Sequence, residues 1–360
     1  MVTVVETSQE LVSKIDKETR IGMLGRNWLS HDAQWQMAVV MAFGWETGNQ
    51  LNLKVAKEMG KIMMLQYMKS TGISGVENIK ELRDIILTVA SSNWSSIFEN
   101  NDAECQSATS ILFKVKHCKT YSSMLQVNAT DKYECGCFPL RSGFCDALNV
   151  EIVEEPKKSL MKGDDKCEIV LSVKNWQKRE EEKNVVSVME TSQELVFKID
   201  KETRIEMLIR NWLSHDARWQ MAVVKSFGWD AGNRLTQQVT RNMGKTMMLR
   251  FMSSAGISRV ENVEELREML EAVISLNWSD ASFRYQVECP PESAIRFKIN
   301  RCETNDNISK ANATDKYECG CFALRSGFCD ALKLKISQEC KTCLMKGDKK
   351  CEIILKVEKW

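Results

Sequence analysis

The sequence predicts an α+β fold that occurs twice in the chain, as a tandem repeat of a helical subdomain followed by a cysteine-rich antiparallel sheet subdomain. The first observation is a duplication: His31 recurs as His215 and Cys135 recurs as Cys319, always 184 residues further along the chain. The second is that apolar residues recur at helical spacing in the first half of each copy. The third is that β-prone segments and turn residues fill the second half.

The duplication defines the domain organisation. The segment ETSQELVSKIDKETRI returns almost unchanged after residue 189, and NATDKYECGCFPLRSGFCDAL returns with one substitution and no insertion. We therefore predict repeat 1 at 1–176, a charged linker at 177–184 and repeat 2 at 185–360. A duplication of this length favours a fused homodimer, in which the two repeats pair within the chain around a pseudo-twofold axis.

Each repeat begins with a helical subdomain, predicted at 6–95 in repeat 1 and at 190–279 in repeat 2. Two successive stretches carry apolar residues at helical spacing, namely Leu24, Trp28, Trp35 and Val39, and then Val55, Met59, Met63 and Tyr67. Gly44 and Gly48 are expected to break the chain between these two helices. Gly72 is expected to end the second one.

A third helix and a sheet complete each repeat. Asn78 is expected to cap the helix NIKELRDIILTVA, with Glu81 completing a capping box. The cysteine-rich α+β subdomains are predicted at 96–176 and 280–360, where ILFKVKHC and ALNVEIV are β-prone. The segment SLMKGDDKCEIVLSV predicts a hairpin that turns at Gly163.

Composition and charge limit which partners the protein is expected to bind and in which cellular compartment it is expected to be found. With 50 basic and 49 acidic residues, the chain has no electrostatic reason to bind nucleic acid. Its longest apolar run, residues 37–43, is too short to span a bilayer, so we expect no membrane partner. The first residues lack the basic and apolar segments of a secretory signal, which predicts a cytoplasmic protein with reduced cysteines.

Cysteine is the unusual residue, with 14 in the chain. Six positions recur in both repeats, as the pairs Cys105/Cys289, Cys118/Cys302, Cys135/Cys319, Cys137/Cys321, Cys145/Cys329 and Cys167/Cys351. Repeat 2 adds the C-x-x-C pair Cys340 and Cys343, where repeat 1 has Pro156 and Ser159. Two thiolates from one short turn can supply an edge of a metal tetrahedron, so the pattern predicts a thiolate metal site in each repeat.

The expected metal ligands surround the two C-x-C motifs. They are Cys135, Cys137, Cys145 and Cys167 in repeat 1, and Cys319, Cys321, Cys329, Cys340, Cys343 and Cys351 in repeat 2. Gly136 and Gly320, between the paired cysteines, are expected to let the backbone fold around the metal. Zinc is the favoured metal, and an iron–sulfur cluster is the alternative. Reactive thiols and inert buried cysteines stay open as further interpretations, and Cys105 and Cys118 are expected to be core residues.

The motif W-L-S-H-D-A-x-W places a histidine and a carboxylate on one helical face with two tryptophans. The candidate catalytic residues are His31, Asp32, His215 and Asp216. The candidate ligand-binding residues are Trp28, Trp35, Trp212 and Trp219. In this interpretation the histidine acts as acid or base and the tryptophans form the walls of a cavity. The alternative is a buried histidine that is satisfied by hydrogen bonds between helices.

Two family resemblances rest on the ends of the repeats. The pattern L-M-K-G-D-x-K-C-E-I resembles the C-terminal pattern of 4-vinyl-reductase-type domains, which implies a small-molecule-binding module whose cysteines can bind zinc. Together with G-F-C-D at 143–146 and 327–330, it is also similar to the L-2-amino-thiazoline-4-carboxylic acid hydrolase-like family. That second resemblance implies hydrolytic opening of a small C–N-containing ring.

The sequence as a whole predicts a cytoplasmic zinc-binding protein with a thiolate site in each repeat and a small-molecule ligand held between the His-Asp helix and the sheet. One alternative is a hydrolase of the thiazoline-carboxylate type, in which the His-Asp pair or a metal-bound water activates water. The other is an iron–sulfur redox or accessory protein. The sequence leaves open whether the protein is an enzyme.

Overall fold

The computed structural model describes residues 5–98, 101–175, 199–290 and 294–360, and the predicted linker at 177–184 lies outside these described residues. Its fold is α+β, as the sequence predicts. Helices come first in each repeat and a four-stranded antiparallel sheet follows, so the arrangement is duplicated. In the described part of the chain, no helix has both the length and the apolar character of a membrane span.

The described elements follow the same order in the two repeats, except that one helix of repeat 2 covers the equivalents of two helices of repeat 1 and that the equivalent of the first helix lies outside the described residues. Those of repeat 1 are α1 (Ser8–Ser13), α2 (Lys17–Phe43), α3 (Trp45–Thr71), α4 (Ile79–Phe98), β1 (Asn101–Ser107), β2 (Ser110–Val115), α5 (Lys119–Gln126), α6 (Cys137–Ala147), β3 (Glu151–Lys158) and β4 (Cys167–Asn175). Those of repeat 2 are α7 (Lys201–Ala255), α8 (Val263–Asn277), β5 (Phe283–Glu288), β6 (Ala294–Cys302), α9 (Glu303–Lys310), α10 (Cys321–Ala331), β7 (Lys335–Thr342) and β8 (Cys351–Lys359).

Glycines break and end the long helices. Gly44, with φ 87°, separates α2 from α3, and Gly228, with φ 84°, interrupts α7 at the equivalent point. Gly72 ends α3 in the left-handed conformation, which confirms the predicted end. The expectation for Gly48 is wrong, because this residue lies inside α3. A Cβ there would be 2.5 Å from Val40 Cγ2, so Gly48 serves close helix packing.

The predicted Asn78 cap of the third helix is confirmed, but the expected capping box is not, because Glu81 bonds the N–H of Glu77 and not that of Asn78. Asn78 Oδ1 accepts a hydrogen bond from the backbone N–H of Glu81 at 3.0 Å, and the Glu81 carboxylate accepts one from the N–H of Glu77 at 2.8 Å. In repeat 2, Asn262 Oδ1 accepts a hydrogen bond from the N–H of Glu265 at 2.9 Å. Both copies therefore begin this helix with the same polar contacts.

The two sheets have the strand orders β1-β2-β4-β3 and β5-β6-β8-β7. The predicted strand at 111–118 ends early, because Cys118 already caps α5. The predicted strand at 147–153 starts late, at Glu151, because Ala147 still belongs to α6 and Asn149 turns the chain with φ 56°. The turn predicted at Gly163 lies between the paired strands β3 and β4. The prediction places the first strand of this hairpin too late, because Leu160–Lys162 form a short 3₁₀ turn and β3 ends at Lys158.

The described residues form two compact units. Unit 1 comprises Met1–Ala38 and Gln220–Trp360, and unit 2 comprises Val39–Trp219. Each unit thus contains the first helical segment of one repeat and the sheet subdomain of the other. The unit boundaries fall inside α2 and α7.

In each unit an arginine near the start of one repeat donates hydrogen bonds to backbone carbonyls where a helix of the other repeat ends or breaks. Arg20 in unit 1 donates to the carbonyls of Ser275 and Leu276, both at 2.9 Å. Arg204 in unit 2 donates to those of Ser91 and Ser92, at 3.0 and 2.7 Å. Ser275 and Leu276 belong to the last turn of α8, and Ser91 and Ser92 directly precede a break in α4 at Trp94, which has φ −140°. Backbone acceptors at such places lack helical partners. The same capping contact therefore stabilises both units.

Glycines also allow backbone contact between α3 and α6. A Cβ on Gly60 would overlap the carbonyl oxygen of Leu140, and a Cβ on Gly143 would overlap that of Lys57. Gly244 and Gly327 make the equivalent contact between α7 and α10. Any side chain at these positions would separate the two helices.

We expect Gly60→Ala to lower the free energy of unfolding by about 1–3 kcal/mol, because its methyl group would be forced against the backbone of α6. Urea denaturation followed by circular dichroism measures this change. Gly22→Ala is the control, because a Cβ there meets only the flexible end of Arg26, at 3.3 Å. It should keep or raise stability, since alanine favours the helix by up to about 1 kcal/mol. Equal effects of the two substitutions would contradict this packing argument.

Candidate functional site

A small cavity in unit 1 is surrounded by thiols. Six of the eight cysteines of repeat 2 line it, namely Cys302, Cys319, Cys321, Cys340, Cys343 and Cys351. The remaining walls are mostly apolar and are formed by Phe283, Ile299, Phe322, Leu344, Met345 and Ile353. The volume open to the centre of a water molecule is about 20 Å³. The cavity therefore has room for one water molecule or one ion.

The thiols come from five places in the fold. Cys302 ends β6, Cys340 lies on the edge strand β7 and Cys351 begins β8. Cys343 caps the 3₁₀ turn between β7 and β8, and the C-x-C pair lies at the start of α10. Because Ile299 pairs with Cys351 in the sheet, Cys302 and Cys351 lie at the same end of neighbouring strands. The fold therefore brings together cysteines that are far apart in sequence.

Helix α7 anchors the segment that leads into the C-x-C motif. Asn233 donates to the carbonyl of Lys316 at 2.6 Å and accepts a hydrogen bond from the N–H of Glu318 at 3.1 Å. Gln237 donates to the carbonyl of Cys319 at 3.1 Å. Gly320 has an ordinary helical φ of −70°, and a Cβ there would lie 3.1 Å from Thr240 Oγ1. This glycine thus lets the motif approach α7.

The two thiols of the C-x-C motif differ in protonation. The Cys321 thiol donates a hydrogen bond to Cys319, which, with the Cys321 backbone N–H and the charge of Arg325, lowers the pKa of Cys319 to about 6 despite burial. The same interaction, together with burial, raises the pKa of Cys321 well above its ordinary value. At neutral pH, Cys319 is therefore a thiolate and Cys321 its hydrogen-bond donor.

Two further cysteines of the cavity, Cys302 and Cys351, favour the neutral thiol in the free protein. Burial raises the pKa of Cys302 to about 11 and that of Cys351 to about 12. The backbone N–H of Leu344 donates to Cys351 Sγ at 3.2 Å and opposes this effect. Any ligand that requires further thiolates must therefore displace protons.

Unit 2 contains a four-thiol counterpart. Cys137 hydrogen-bonds with Cys135 and interacts electrostatically with Cys118 and Cys167. The backbone N–H of Leu160 donates to Cys167 Sγ at 3.3 Å, as Leu344 does to Cys351. We call these four thiols the unit 2 cluster, and the six around the cavity the unit 1 cluster.

The structure regroups the cysteines that the sequence singled out. Cys145 and Cys329, expected among the metal ligands, are fully buried in α6 and α10, and Cys329 does not line the cavity. Burial raises the pKa of each to about 12. Cys302, whose equivalent Cys118 was expected in the core, belongs to the cluster instead. Its place at a strand end opposite the start of β8 is the signal that sequence reasoning missed. Cys289 lies outside the cavity lining.

A buried arginine adjoins each cluster and was missed by sequence reasoning. Arg325 of α10 lies between the rings of Phe297 and Phe322, with its guanidinium carbon 5.1 Å from each ring centre. Arg141 of α6 lies in the same way between Phe113 and Phe138, at 5.4 and 5.2 Å. Since arginine follows the second C-x-C cysteine by four residues, both groups share one helical face.

The residues that line the cavity include none from the two His-Asp motifs. Trp219 Nε1 donates to His215 Nε2 at 3.1 Å, and both side chains are buried. His31 and Trp35 are likewise buried, with their rings edge to face at 6.5 Å. The aspartates, Asp32 and Asp216, are half-buried. The tryptophan bond to His215 is the kind of contact that the alternative of a satisfied, buried histidine requires.

The unit 1 cluster fits a thiophilic metal by donor type. Within the described ranges, no three His, Cys, Asp or Glu side chains are arranged to hold a metal ion in their present conformations. Soft thiolates are nevertheless the donors that zinc and iron–sulfur clusters take. All 14 cysteines are free thiols, and each Sγ turns on a single torsion. Metal binding at this cavity therefore requires side-chain rotation.

Comparisons with known proteins assign no family. No family model and no curated protein matches the chain. Among solved structures, it is similar to a trafficking protein particle complex subunit 3 from Naegleria fowleri covalently bound to palmitic acid, with 16% identity, a TM-score of 0.34, and coverage of 44% of this chain and 98% of that one. It is also similar to an H-NOX protein from S. oneidensis in the Fe(II)NO ligation state, with 14% identity, a TM-score of 0.27, and coverage of 41% and 76%.

The thiolate of Cys319 makes its reactivity depend on pH. In metal-free protein we expect the rate of alkylation of Cys319 by iodoacetamide to rise with pH and to level off above a midpoint near pH 6, because only the thiolate reacts. Cys321→Ala removes the thiol donor and should move the midpoint to higher pH. Mass spectrometry of the labelled peptide measures both.

Cys329→Ala is the matched control, because Cys329 lies outside the cavity lining, and it should leave this midpoint unchanged. A midpoint at the ordinary value for cysteine in every variant would refute the assigned Cys319–Cys321 hydrogen bond.

Proposed function

We propose that the protein binds a thiophilic metal ion, zinc in the first place, through its two cysteine clusters. The observation that carries this proposal is the convergence of six cysteines of repeat 2 on one small cavity. Cysteines used only for packing need not meet, and four thiolates are the usual ligand set of structural zinc. The size of the cavity suits an ion better than an organic molecule.

The proposed ligands differ from the sequence-based set by one position in each repeat. In unit 2 they are Cys118, Cys135, Cys137 and Cys167. In unit 1 they are drawn from the equivalent Cys302, Cys319, Cys321 and Cys351, with Cys340 and Cys343 as additional donors. Cys319 is already a thiolate at neutral pH, and the remaining ligands lose their protons as the metal binds.

A metal held in this way would connect parts of the sheet subdomain that are distant in sequence. It would join the end of β6 and the start of β8 to the start of α10. A four-thiolate site leaves no coordination position open for water, so it supports a structural or sensing role and not metal-assisted hydrolysis. The cytoplasmic location and the small-molecule ligand expected from sequence are part of this proposal.

We expect anaerobically purified protein to be colourless and to contain one zinc ion for each cluster, as measured by elemental analysis. Changing Cys302, Cys319 and Cys321 together to serine should remove zinc from unit 1, because only three of the six thiols around the cavity remain and a four-thiolate site cannot form. The matched control is Cys329→Ser, which changes a buried cysteine outside the cavity lining and should keep the zinc content of the parent.

Three results would contradict the proposal. A brown protein with iron and sulfide would favour the iron–sulfur alternative. Turnover of an L-2-amino-thiazoline-4-carboxylate that His215→Ala abolishes would favour the hydrolase alternative. Protein without any bound metal, which also takes up none when titrated with zinc, would leave the thiols without the proposed function.

A further inference from the structure

The two clusters differ in one buried charge. In unit 2, Arg141 Nε donates to Glu154 Oε1 at 2.5 Å, and both side chains of this ion pair are about nine-tenths buried. In unit 1, the equivalent Arg325 Nε donates to Gln338 Oε1 at 2.7 Å. The arginines occupy the same place between two phenylalanine rings, but only the one in unit 2 has a carboxylate partner at this position.

Hydrogen bonds hold Gln338 in its orientation. Its Nε2 donates to the carbonyl of Phe322 at 2.9 Å and to Ser326 Oγ at 3.1 Å. These two acceptors require the amide nitrogen on their side, so the oxygen is left facing Arg325. Gln338 thus satisfies the Arg325 Nε without neutralising its charge.

The charge that remains on Arg325 acts on the thiols. Burial lowers the pKa of Arg141, but the charge and hydrogen bond of Glu154, together with the charges of Cys137 and Cys135, more than offset this and raise it. For Arg325 burial prevails and lowers the pKa, although the charges of Cys321 and Cys319 oppose it. An arginine nevertheless stays protonated in proteins. The positive charge of Arg325 therefore adjoins the unit 1 cluster, and residue 338 supplies no carboxylate to neutralise it. In unit 2, Glu154 neutralises the charge of Arg141.

We propose that residue 338 and its equivalent 154 set the relative metal affinity of the two clusters, so that unit 1 binds zinc more tightly than unit 2. This inference rests on the proposed function. Four thiolates carry more negative charge than one zinc ion neutralises, and the excess is costly in a partly buried site. The guanidinium of Arg325 stabilises that excess in unit 1, whereas Glu154 cancels the same contribution in unit 2.

The test compares single-site proteins. Cys135→Ser leaves the unit 1 cluster intact and only three thiols in the unit 2 cluster. Changing Cys302, Cys319 and Cys321 together to serine leaves the unit 2 cluster intact and only three thiols in the unit 1 cluster. Zinc affinity is then measured for each by competition with a chromophoric chelator. We expect Q338E to weaken zinc binding by unit 1 about 10–100-fold, the range typical of groups behind the ligands. We expect E154Q to strengthen zinc binding by unit 2 by the same factor of about 10–100.

Each substitution has a matched control on the same strand. Glu155→Gln and Glu339→Gln remove a charge one residue away, from side chains that are 64% and 61% exposed, and they should leave zinc affinity unchanged. Folding is followed by circular dichroism and thermal melting. Each test substitution introduces the residue that the other repeat already carries opposite the same arginine, so both should preserve the fold.

The outcomes separate this inference from the proposed function. If both single-site proteins bind zinc but neither Q338E nor E154Q changes the affinity, the inference is overturned and the proposed function stands. A tighter site in unit 2 than in unit 1 has the same consequence. If neither the full chain nor the single-site proteins bind zinc, the proposed function fails and the inference fails with it.

Discussion

The thiol clusters depend on a backbone contact between two helices in each unit. Gly60 on α3 faces Gly143 on α6, and Gly244 on α7 faces Gly327 on α10, with no room for a Cβ on either side. Gly327 lies about 200° around the helix from Arg325, because successive residues are separated by about 100°. Helix α10 therefore packs against α7 with one face and presents its first cysteine and its arginine to the sheet with the opposite face. A looser contact would move the C-x-C motif away from the strand ends that supply the other thiols.

Burial of the arginine links the stability of this region to its chemistry. The guanidinium of Arg325 is stacked between Phe297 and Phe322, so its charge has little access to water. A charge in such a place acts strongly on its neighbours, and here the neighbours include Cys319 and Cys321. Phe297, a buried residue of the sheet, and Phe322 of α10 thereby also position the group that favours a thiolate. In unit 2 the same framework holds an ion pair, and the charge is compensated within the protein.

The two copies have diverged where an edge strand meets the cluster. Glu154 is replaced by Gln338, Pro156 by Cys340 and Ser159 by Cys343, and all of these positions lie on β3 and β7 or directly after them. The glycine contacts and the capping arginines are the same in both units. An edge strand can change its side chains at little cost, because one of its sides has no neighbouring strand to accommodate. The two units thus share one framework but differ in the number of thiol donors and in the buried charge beside them.

The sequence by itself determined the duplication, the α+β class, the helix break at Gly44, the end at Gly72 and the cap at Asn78, because these depend on local conformation and spacing. It also placed the C-x-C motifs at the centre of the candidate site. Only the tertiary structure decided which other cysteines join them. Cys145 and Cys329 follow the motif closely in sequence but are buried within their helices, whereas Cys302 reaches the cluster through the pairing of β6 with β8. The same holds for Arg325 and Gln338, since the helix and the strand that carry them meet only when the sheet forms.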